Sequence, residues 1–234
     1  MWPFHSRRFL ASRSTAAERR IIMSPLTSPS VQTRRSAGGC SAMNPIDATL
    51  LNRGLSWREY RATVEKNADV FDRVYDDPGF DDADLAPLHA VPPLTVVAIG
   101  EDWCPDVYHT LPAWVRVAER LPGWELKIFP RDQHPQLMDA FLYRGRARRV
   151  PVYAFYDRRR YLQTWWSGRS AEAQRAVDGW LAGRTFDQLE PAERAALGKR
   201  LDAGYRERFR RANFDEILAL LKAFFHLGPD GAGA

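Results

Sequence analysis

A run of six apolar or small residues, 94–99, is followed by Cys104-Pro105 after four intervening residues. A short apolar run of this kind predicts a strand that is buried on both faces, which requires helices on both sides of its sheet. Proline is favoured in the first turn of a helix, so Pro105 predicts that a helix starts there. The chain is therefore predicted to pass from a buried strand into a helix at a single cysteine, and this favours an α/β fold.

The pattern after this corner continues to alternate between strand and helix. Apolar periodicity and the positions of Pro and Gly predict a strand at 124–129, a helix at 135–142, two strands at 151–156 and 161–166, and a helix at 170–183. The two strands are separated by a short polar, arginine-rich segment, which predicts a hairpin.

Helices are also predicted on either side of this alternating region. Ser56 and Glu59 have the spacing of a capping box, and the apolar positions that follow predict one helix over 56–75. Beyond Pro191 the chain is predicted to be helical. Asn213 is predicted to cap a last helix over 213–227, whose wide apolar stripe ends at Gly228-Pro229.

Three spaced features resemble the thioredoxin family. Trp103-Cys104 resembles the start of that family's Cys-x-x-Cys motif, and Pro112 matches the proline that bends its active-site helix. Val150-Pro151, which opens a strand, resembles the family's cis-proline step. The segment 129–142 is similar to that of a bacterial branch of thioredoxin-like proteins. The resemblance implies a thioredoxin-like fold, in which a central mixed sheet is flanked by helices, with extra N- and C-terminal helices.

The resemblance covers residues 92–184 and so implies a division of the chain. Residues 92–184 are predicted to form the thioredoxin-like domain, 44–91 an N-terminal helical extension and linker, and 185–234 a C-terminal helical extension. Residues 1–43 are predicted to be a disordered basic tail or an over-extended start, with Met43 or Met23 as the true first residue, because too few apolar residues are present to offset the entropy of ordering.

The chain departs from the family pattern at two positions. Val107 stands where the second, resolving cysteine is expected, and Ala98 stands where many thioredoxins bury an acid that serves that cysteine. The two losses are consistent with each other, because the acid has no role without the second thiol. Reduction of disulfides by a dithiol mechanism is therefore not expected.

The resemblance assigns the remaining site residues. Cys104 is the predicted nucleophile, and its place at a helix N-terminus predicts a lowered thiol pKa. Residues predicted to bind substrate or shield the thiol are Trp103, Pro105, Val150, Pro151 and Arg149. Asp106 is predicted to interact with the helix dipole, and His109 is predicted to face water.

Two functions follow as alternatives. The first is a monothiol thiol–disulfide oxidoreductase that acts on protein or glutathione disulfides, with no cofactor other than glutathione as a co-substrate. The second is a redox-inactive thioredoxin-fold module that binds a partner protein, because a fold alone does not decide activity.

The composition limits the other classes of function. Seven of the 34 basic residues and one of the 29 acidic residues lie in 1–43, which leaves 27 basic and 28 acidic residues for the remainder. The high isoelectric point thus belongs to the tail, and binding of nucleic acid by the folded part is not expected. No apolar stretch of membrane-spanning length is present, and the histidines lack metal-ligand spacing.

The two cysteines, Cys40 and Cys104, favour a reducing compartment, and we predict a cytoplasmic protein. The alternative is an organelle-targeted protein, since residues 1–43 are rich in Arg and Ser and poor in acids, as transit peptides are. The sequence does not predict an oligomeric state.

Overall fold

The computed structural model describes residues 45–227, and the predictions for residues 1–43 and Cys40 lie outside them. Four strands form one mixed sheet in the order β2-β1-β3-β4. The strands are β1 Thr95–Gly100, β2 Glu125–Pro130, β3 Val152–Tyr156 and β4 Leu162–Ser167. β1 pairs with β2 in parallel and with β3 antiparallel, and β3 and β4 form the predicted antiparallel hairpin. The α/β thioredoxin-like fold is confirmed.

The helices lie before, between and after the strands. Those before and between the strands are α1 Ala48–Asn52, α2 Trp57–Thr63, α3 Ala68–Asp76, α4 Asp82–Leu85, α5 Pro105–Tyr108, α6 Leu111–Arg120 and α7 Pro135–Asp139. Those after the sheet are α8 Ala171–Leu181, α9 Pro191–Gly204 and α10 Arg210–Phe224. None of these helices is long and apolar enough to cross a membrane.

The helices outside the sheet region share its hydrophobic core. Ile46 and Phe71 from the N-terminal side, and Phe214 and Ile217 from α10, belong to the same buried cluster as the strands. Burial of large side chains is the main favourable contribution to folding, at about 1.5–3 kcal/mol for each. The helices on the N- and C-terminal sides of the sheet therefore stabilise the sheet as well as cover it.

The corner after β1 is closely packed. Gly100, the last residue of β1, has no side chain, and a Cβ there would lie 2.8 Å from the Cγ1 atom of Val107. Val107 is completely buried, and its backbone N–H donates to the Cys104 carbonyl at 2.9 Å. Pro105 is the first residue of α5, as predicted. The tight turn places Cys104 directly at the N-terminus of this helix.

The prediction of one helix over 56–75 is wrong, because the helix is interrupted between α2 and α3. The Ser56–Glu59 capping box is present at the start of α2. The interruption is stabilised by Asp102, whose carboxylate accepts hydrogen bonds from the backbone N–H groups of Glu65 and Lys66, each at 2.9 Å. The side chain of Asn67 also donates to the Asp102 carbonyl at 2.9 Å. These contacts fasten the N-terminal helices to the loop that carries Cys104.

The C-terminal helices also differ from the prediction. α9 continues through a single π-helical turn, Tyr205–Phe209, directly into α10. Asn213 lies inside α10 and does not cap it. Its side-chain oxygen instead accepts a hydrogen bond from the indole N–H of Trp114 at 3.2 Å, and both residues are buried. π-helical turns are frequently found at functional sites, so the contacts of this turn are of interest.

Candidate functional site

Cys104 lies at the N-terminus of α5, beside the segment that leads into β3. The Val150–Pro151 peptide bond is cis. The thiol of Cys104 donates to the carbonyl oxygen of Val150, with the sulfur at 3.7 Å from that oxygen. The structure thus brings Cys104 next to Val150 and Pro151, which lie 46 and 47 residues further along the chain.

The environment of the thiol does not favour its ionised form. Burial raises the pKa of Cys104 to about 12, and the neighbouring Asp106 carboxylate acts in the same direction. The backbone N–H groups of Val107 and Asp106, together with Arg169, lower this pKa but do not offset burial. The prediction of a lowered pKa is therefore wrong. The residue is only 7% exposed, and α5 has only four residues.

Asp106 is part of a buried polar cluster. Its carboxylate accepts two hydrogen bonds from the Arg169 guanidinium, at 2.9 and 2.6 Å, and a third from the Tyr205 hydroxyl at 2.6 Å. Bidentate pairing with arginine is the strongest common arrangement for a carboxylate. The prediction that Asp106 serves mainly the helix dipole missed this cluster, because Arg169 and Tyr205 are 63 and 99 residues away.

His109 is buried, and the prediction that it faces water is wrong. Its ring stacks on that of Tyr205, with the centroids 4.7 Å apart, and its Nε2 lies 3.0 Å from the carboxylate of Asp202. The same Asp202 oxygen accepts a hydrogen bond from the Tyr108 hydroxyl at 2.9 Å. α9 and the π-helical turn therefore hold the end of α5 and the residue after it through three polar and aromatic contacts.

The buried His109 predicts a loss of stability in mild acid. Burial lowers the pKa of His109 to about 4, against the opposing effect of Asp202. The unfolded chain takes up a proton at this histidine near pH 6.5 and the folded protein does not, so stability falls as the pH drops from about 6.5 to 4. The shift corresponds to at most about 3 kcal/mol of unfolding free energy.

Urea unfolding at pH 7.0, 5.5 and 4.5 checks this prediction. We expect His109→Gln to lose clearly less stability than the wild type between pH 7.0 and 4.5. The control is His89→Gln, at an exposed position, which should follow the wild-type curve. Parallel curves for the wild type and His109→Gln would show that His109 titrates alike in the folded and unfolded states.

A pocket of about 250 Å³ opens beside Cys104. Its lining residues are Trp103, Cys104, Asp106, Arg131, Arg148, Arg149, Val150, Gly168 and Arg169. Trp103 lies at the edge of the pocket and is 43% exposed. The Arg131 guanidinium lies 5.0 Å from the centre of its indole ring. Within residues 45–227, no group of three or more His, Cys, Asp or Glu side chains is arranged to hold a metal ion.

Of the residues predicted to bind substrate, Trp103, Val150 and Arg149 line this pocket, whereas Pro105 and Pro151 shape the backbone next to it. Of the arginines that line this pocket, Arg131 and Arg169 were not predicted from the sequence. The predicted hairpin gives one indication that Arg169 lies near the pocket, because it pairs the end of β4 with the start of β3. In the structure the N–H of Gly168, which precedes Arg169, donates to the Pro151 carbonyl at 2.8 Å. A residue that follows β4 therefore lies next to the cis-proline segment.

Comparison with known proteins agrees with the thioredoxin-like fold. A sequence family described as thioredoxin matches residues 54–184. A crystal structure of an HIV epitope scaffold aligns with a TM-score of 0.50 and 16% identity, covering 75% of this chain and 97% of that chain. A crystal structure of a protein of unknown function from Pseudomonas aeruginosa aligns with a TM-score of 0.49 and 17% identity, covering 77% of this chain and 99% of that chain. No curated protein matches the chain. At 16% identity, the alignment with the HIV epitope scaffold shows similarity of fold alone.

Proposed function

The chain belongs to the thioredoxin family, and we propose that it is a monothiol thiol–disulfide oxidoreductase in which Cys104 is the nucleophile. The observation that carries this proposal is the position of the Cys104 sulfur, 3.7 Å from the carbonyl oxygen of Val150 and at the wall of an open pocket. A substrate disulfide in this pocket reaches the sulfur, and the backbone next to Pro151 is available to align a substrate chain. The substrates are protein or glutathione disulfides.

The reaction is a single exchange. Cys104 loses its proton, and the resulting thiolate attacks one sulfur of a disulfide R–S–S–R′. A bond forms between Cys104 and the R sulfur while the S–S bond breaks, and the electron pair leaves with R′–S⁻, which takes up a proton. Cys104 is thereby oxidised to a mixed disulfide and R′ is reduced to a thiol.

Release of the mixed disulfide requires a thiol from another molecule. Val107 occupies the resolving position, and its side chain is apolar and completely buried. An external thiol therefore attacks the mixed disulfide and restores Cys104. A glutathione pool supplies such a thiol, and we accordingly place the activity in a reducing compartment, the cytoplasm.

The raised pKa slows this reaction but does not abolish it. With a pKa of about 12 the thiol is protonated at pH 7, so few molecules carry the thiolate. A thiolate of higher pKa is intrinsically more nucleophilic, which offsets about half of the loss on a logarithmic scale. Compared with a free cysteine of pKa ~8.5, the net effect is a rate lower by roughly a hundredfold.

One observation favours the second function, a redox-inactive thioredoxin-fold module that binds a partner. The thiol is buried and protonated, and residue 107 offers no second thiol. In that case Cys104 is a small core residue, and the surface around the pocket serves for binding only. The two functions differ in whether Cys104 of the folded protein exchanges with a disulfide.

The pH dependence of exchange separates the two functions. The full-length Cys40→Ser variant is mixed with oxidised glutathione at pH 7 to 10, and the mixed disulfide on Cys104 is quantified by intact-protein mass. We expect the rate to rise about tenfold for each pH unit, with no plateau up to pH 10, since the pKa lies above this range. The double variant Cys40→Ser/Cys104→Ser is the control and should gain no adduct. Absence of any adduct in the folded protein at pH 10 would favour the redox-inactive module.

A further inference from the structure

The pocket beside Cys104 is strongly basic. Its lining contains four arginines and one aspartate, a net charge of +3. The arginines come from three separate segments: Arg131 follows β2, Arg148 and Arg149 precede the cis-proline, and Arg169 follows β4. Three segments that are distant in the chain thus bring cations to the cavity that contains the thiol. The folded part of the chain as a whole is close to neutral, so this concentration of charge is local.

The arginines are paired to different extents. Arg169 is held by the buried carboxylate of Asp106. Arg148 pairs with Asp139 at the surface, where the two side chains are 50% and 47% exposed. Exposed ion pairs of this kind contribute only about 0–1 kcal/mol, so a ligand carboxylate competes with Asp139 at little cost.

Arg149 is the arginine that is most available to a ligand. Its guanidinium lies 4.2 Å from the centre of the Tyr143 ring and donates to the side-chain oxygen of Gln174 at 3.1 Å. Within residues 45–227 no carboxylate forms an ion pair with it. Arg131 stands across the pocket over the Trp103 ring and pairs with Asp132, which is 63% exposed. An anion between these arginines gains bidentate hydrogen bonds without displacing a buried partner.

We propose that the pocket selects small disulfides that carry at least two carboxylates, with Arg149, Arg148 and Arg131 as the groups that bind them. The proposal rests on the proposed exchange at Cys104 and adds the class of substrate to it. The volume of about 250 Å³ lies below the ~300–1,000 Å³ of pockets for drug-sized ligands, so the pocket holds one half of a small disulfide and not both. The positive field also attracts anions and repels cations before contact.

Three disulfides of different charge test this selectivity. The Cys40→Ser protein is mixed with oxidised glutathione (acidic), bis(2-hydroxyethyl) disulfide (neutral) or cystamine (cationic) at pH 9. Each rate is divided by the rate of the same disulfide with 2-mercaptoethanol, an uncharged reference thiol. We expect the normalised rates to fall in the order acidic, neutral, cationic, with about tenfold between the first two at low salt. The preference should shrink in 0.5 M NaCl, because salt screens charges near the surface.

Two arginine variants locate the selectivity. In Arg149→Gln the ratio of the acidic to the neutral rate should fall about threefold, because Arg148 and Arg131 keep part of the preference. The control is Arg158→Gln, at an exposed position after β3, which should keep the wild-type ratio. Equal normalised rates for the three disulfides, or an unchanged ratio in Arg149→Gln, would overturn the proposal and leave exchange at Cys104 intact.

A binding measurement that needs no exchange completes the test. Calorimetric titration of Cys40→Ser/Cys104→Ser with S-methylglutathione, which carries the carboxylates but no free thiol, should show salt-sensitive binding that weakens in Arg149→Gln. Binding here together with no exchange by any disulfide would contradict the proposed function while supporting the anion site. Absence of binding would contradict the anion site.

Discussion

Replacing Asp106 with asparagine is expected to increase the reactivity of Cys104 and to lower the stability of the fold. The Asp106 carboxylate raises the pKa of the thiol, and its removal leaves the opposing effect of Arg169, which lowers this pKa. We expect alkylation of Cys104 by iodoacetamide at pH 8 to become at least about threefold faster, the net effect of a thiol pKa that is lower by roughly one unit. Loss of one member of a buried ion pair costs on the order of 3 kcal/mol of unfolding free energy.

Alkylation rates and urea unfolding of Asp106→Asn, both in the Cys40→Ser background, check these two effects. The control is Asp187→Asn, which removes an exposed carboxylate and should change neither quantity. Because a destabilised protein also exposes its core, the alkylation is repeated at increasing urea concentrations. A rate that is constant at low urea shows that the folded form is reacting. A rate no higher than that of the Cys40→Ser parent would show that Asp106 does not restrain the thiol.

Replacing Val107 with cysteine is expected to create an intramolecular disulfide with Cys104. The N–H of Val107 donates to the Cys104 carbonyl at 2.9 Å, so the two residues lie on one tight turn. Residues three apart on such a turn have Cα atoms about 5–6 Å apart, within the range that disulfides span. Val107 also packs against Gly100, and the smaller cysteine side chain fits in the same space.

Mass spectrometry after exposure to oxidised glutathione measures this outcome. The Cys40→Ser/Val107→Cys protein should lose two hydrogens and carry no lasting glutathione adduct, whereas the parent should retain one. The control is Cys40→Ser/Val115→Cys, which places a second buried cysteine on α6 and should form no internal disulfide. A stable glutathione adduct on the Val107→Cys variant would contradict the geometry of the corner.

The sequence predicts the central part of the fold well. The strand before Cys104, the hairpin after Pro151 and the position of Pro105 all depend on local patterns, namely apolar runs and proline placement. The spacing of Cys104, Pro112 and Pro151 resembles a known family, and this similarity places Pro151 opposite the thiol. These features were predictable because neighbouring residues, or a spacing that resembles that of a known family, specify them.

The interruption between α2 and α3 was not predictable from the helical pattern. The apolar residues Val64, Ala68 and Phe71 continue the helical period across it. The chain is turned by Asp102, whose carboxylate satisfies two backbone N–H groups more than 30 residues away. A tertiary hydrogen bond therefore overrides a local preference.

The polar surroundings of Cys104 could not be predicted from the sequence either. Tyr205 donates a hydrogen bond to Asp106, 99 residues away in the chain, and only the folded chain shows that α9 and the π-helical turn lie against α5. The pKa of the thiol depends on this packing, because burial is the largest cause of the upward shift in that pKa. A helix N-terminus predicts a lowered pKa only where the thiol remains accessible to water.

The most direct test of the account is to capture and then release a mixed disulfide on Cys104 of the folded Cys40→Ser protein. Incubation with oxidised glutathione at pH 9, followed by peptide mapping, measures the occupancy of this residue. The account predicts one glutathione per chain, located on Cys104 and removed completely by reduced glutathione. A Cys104 that is modified only after urea unfolds the protein would contradict it.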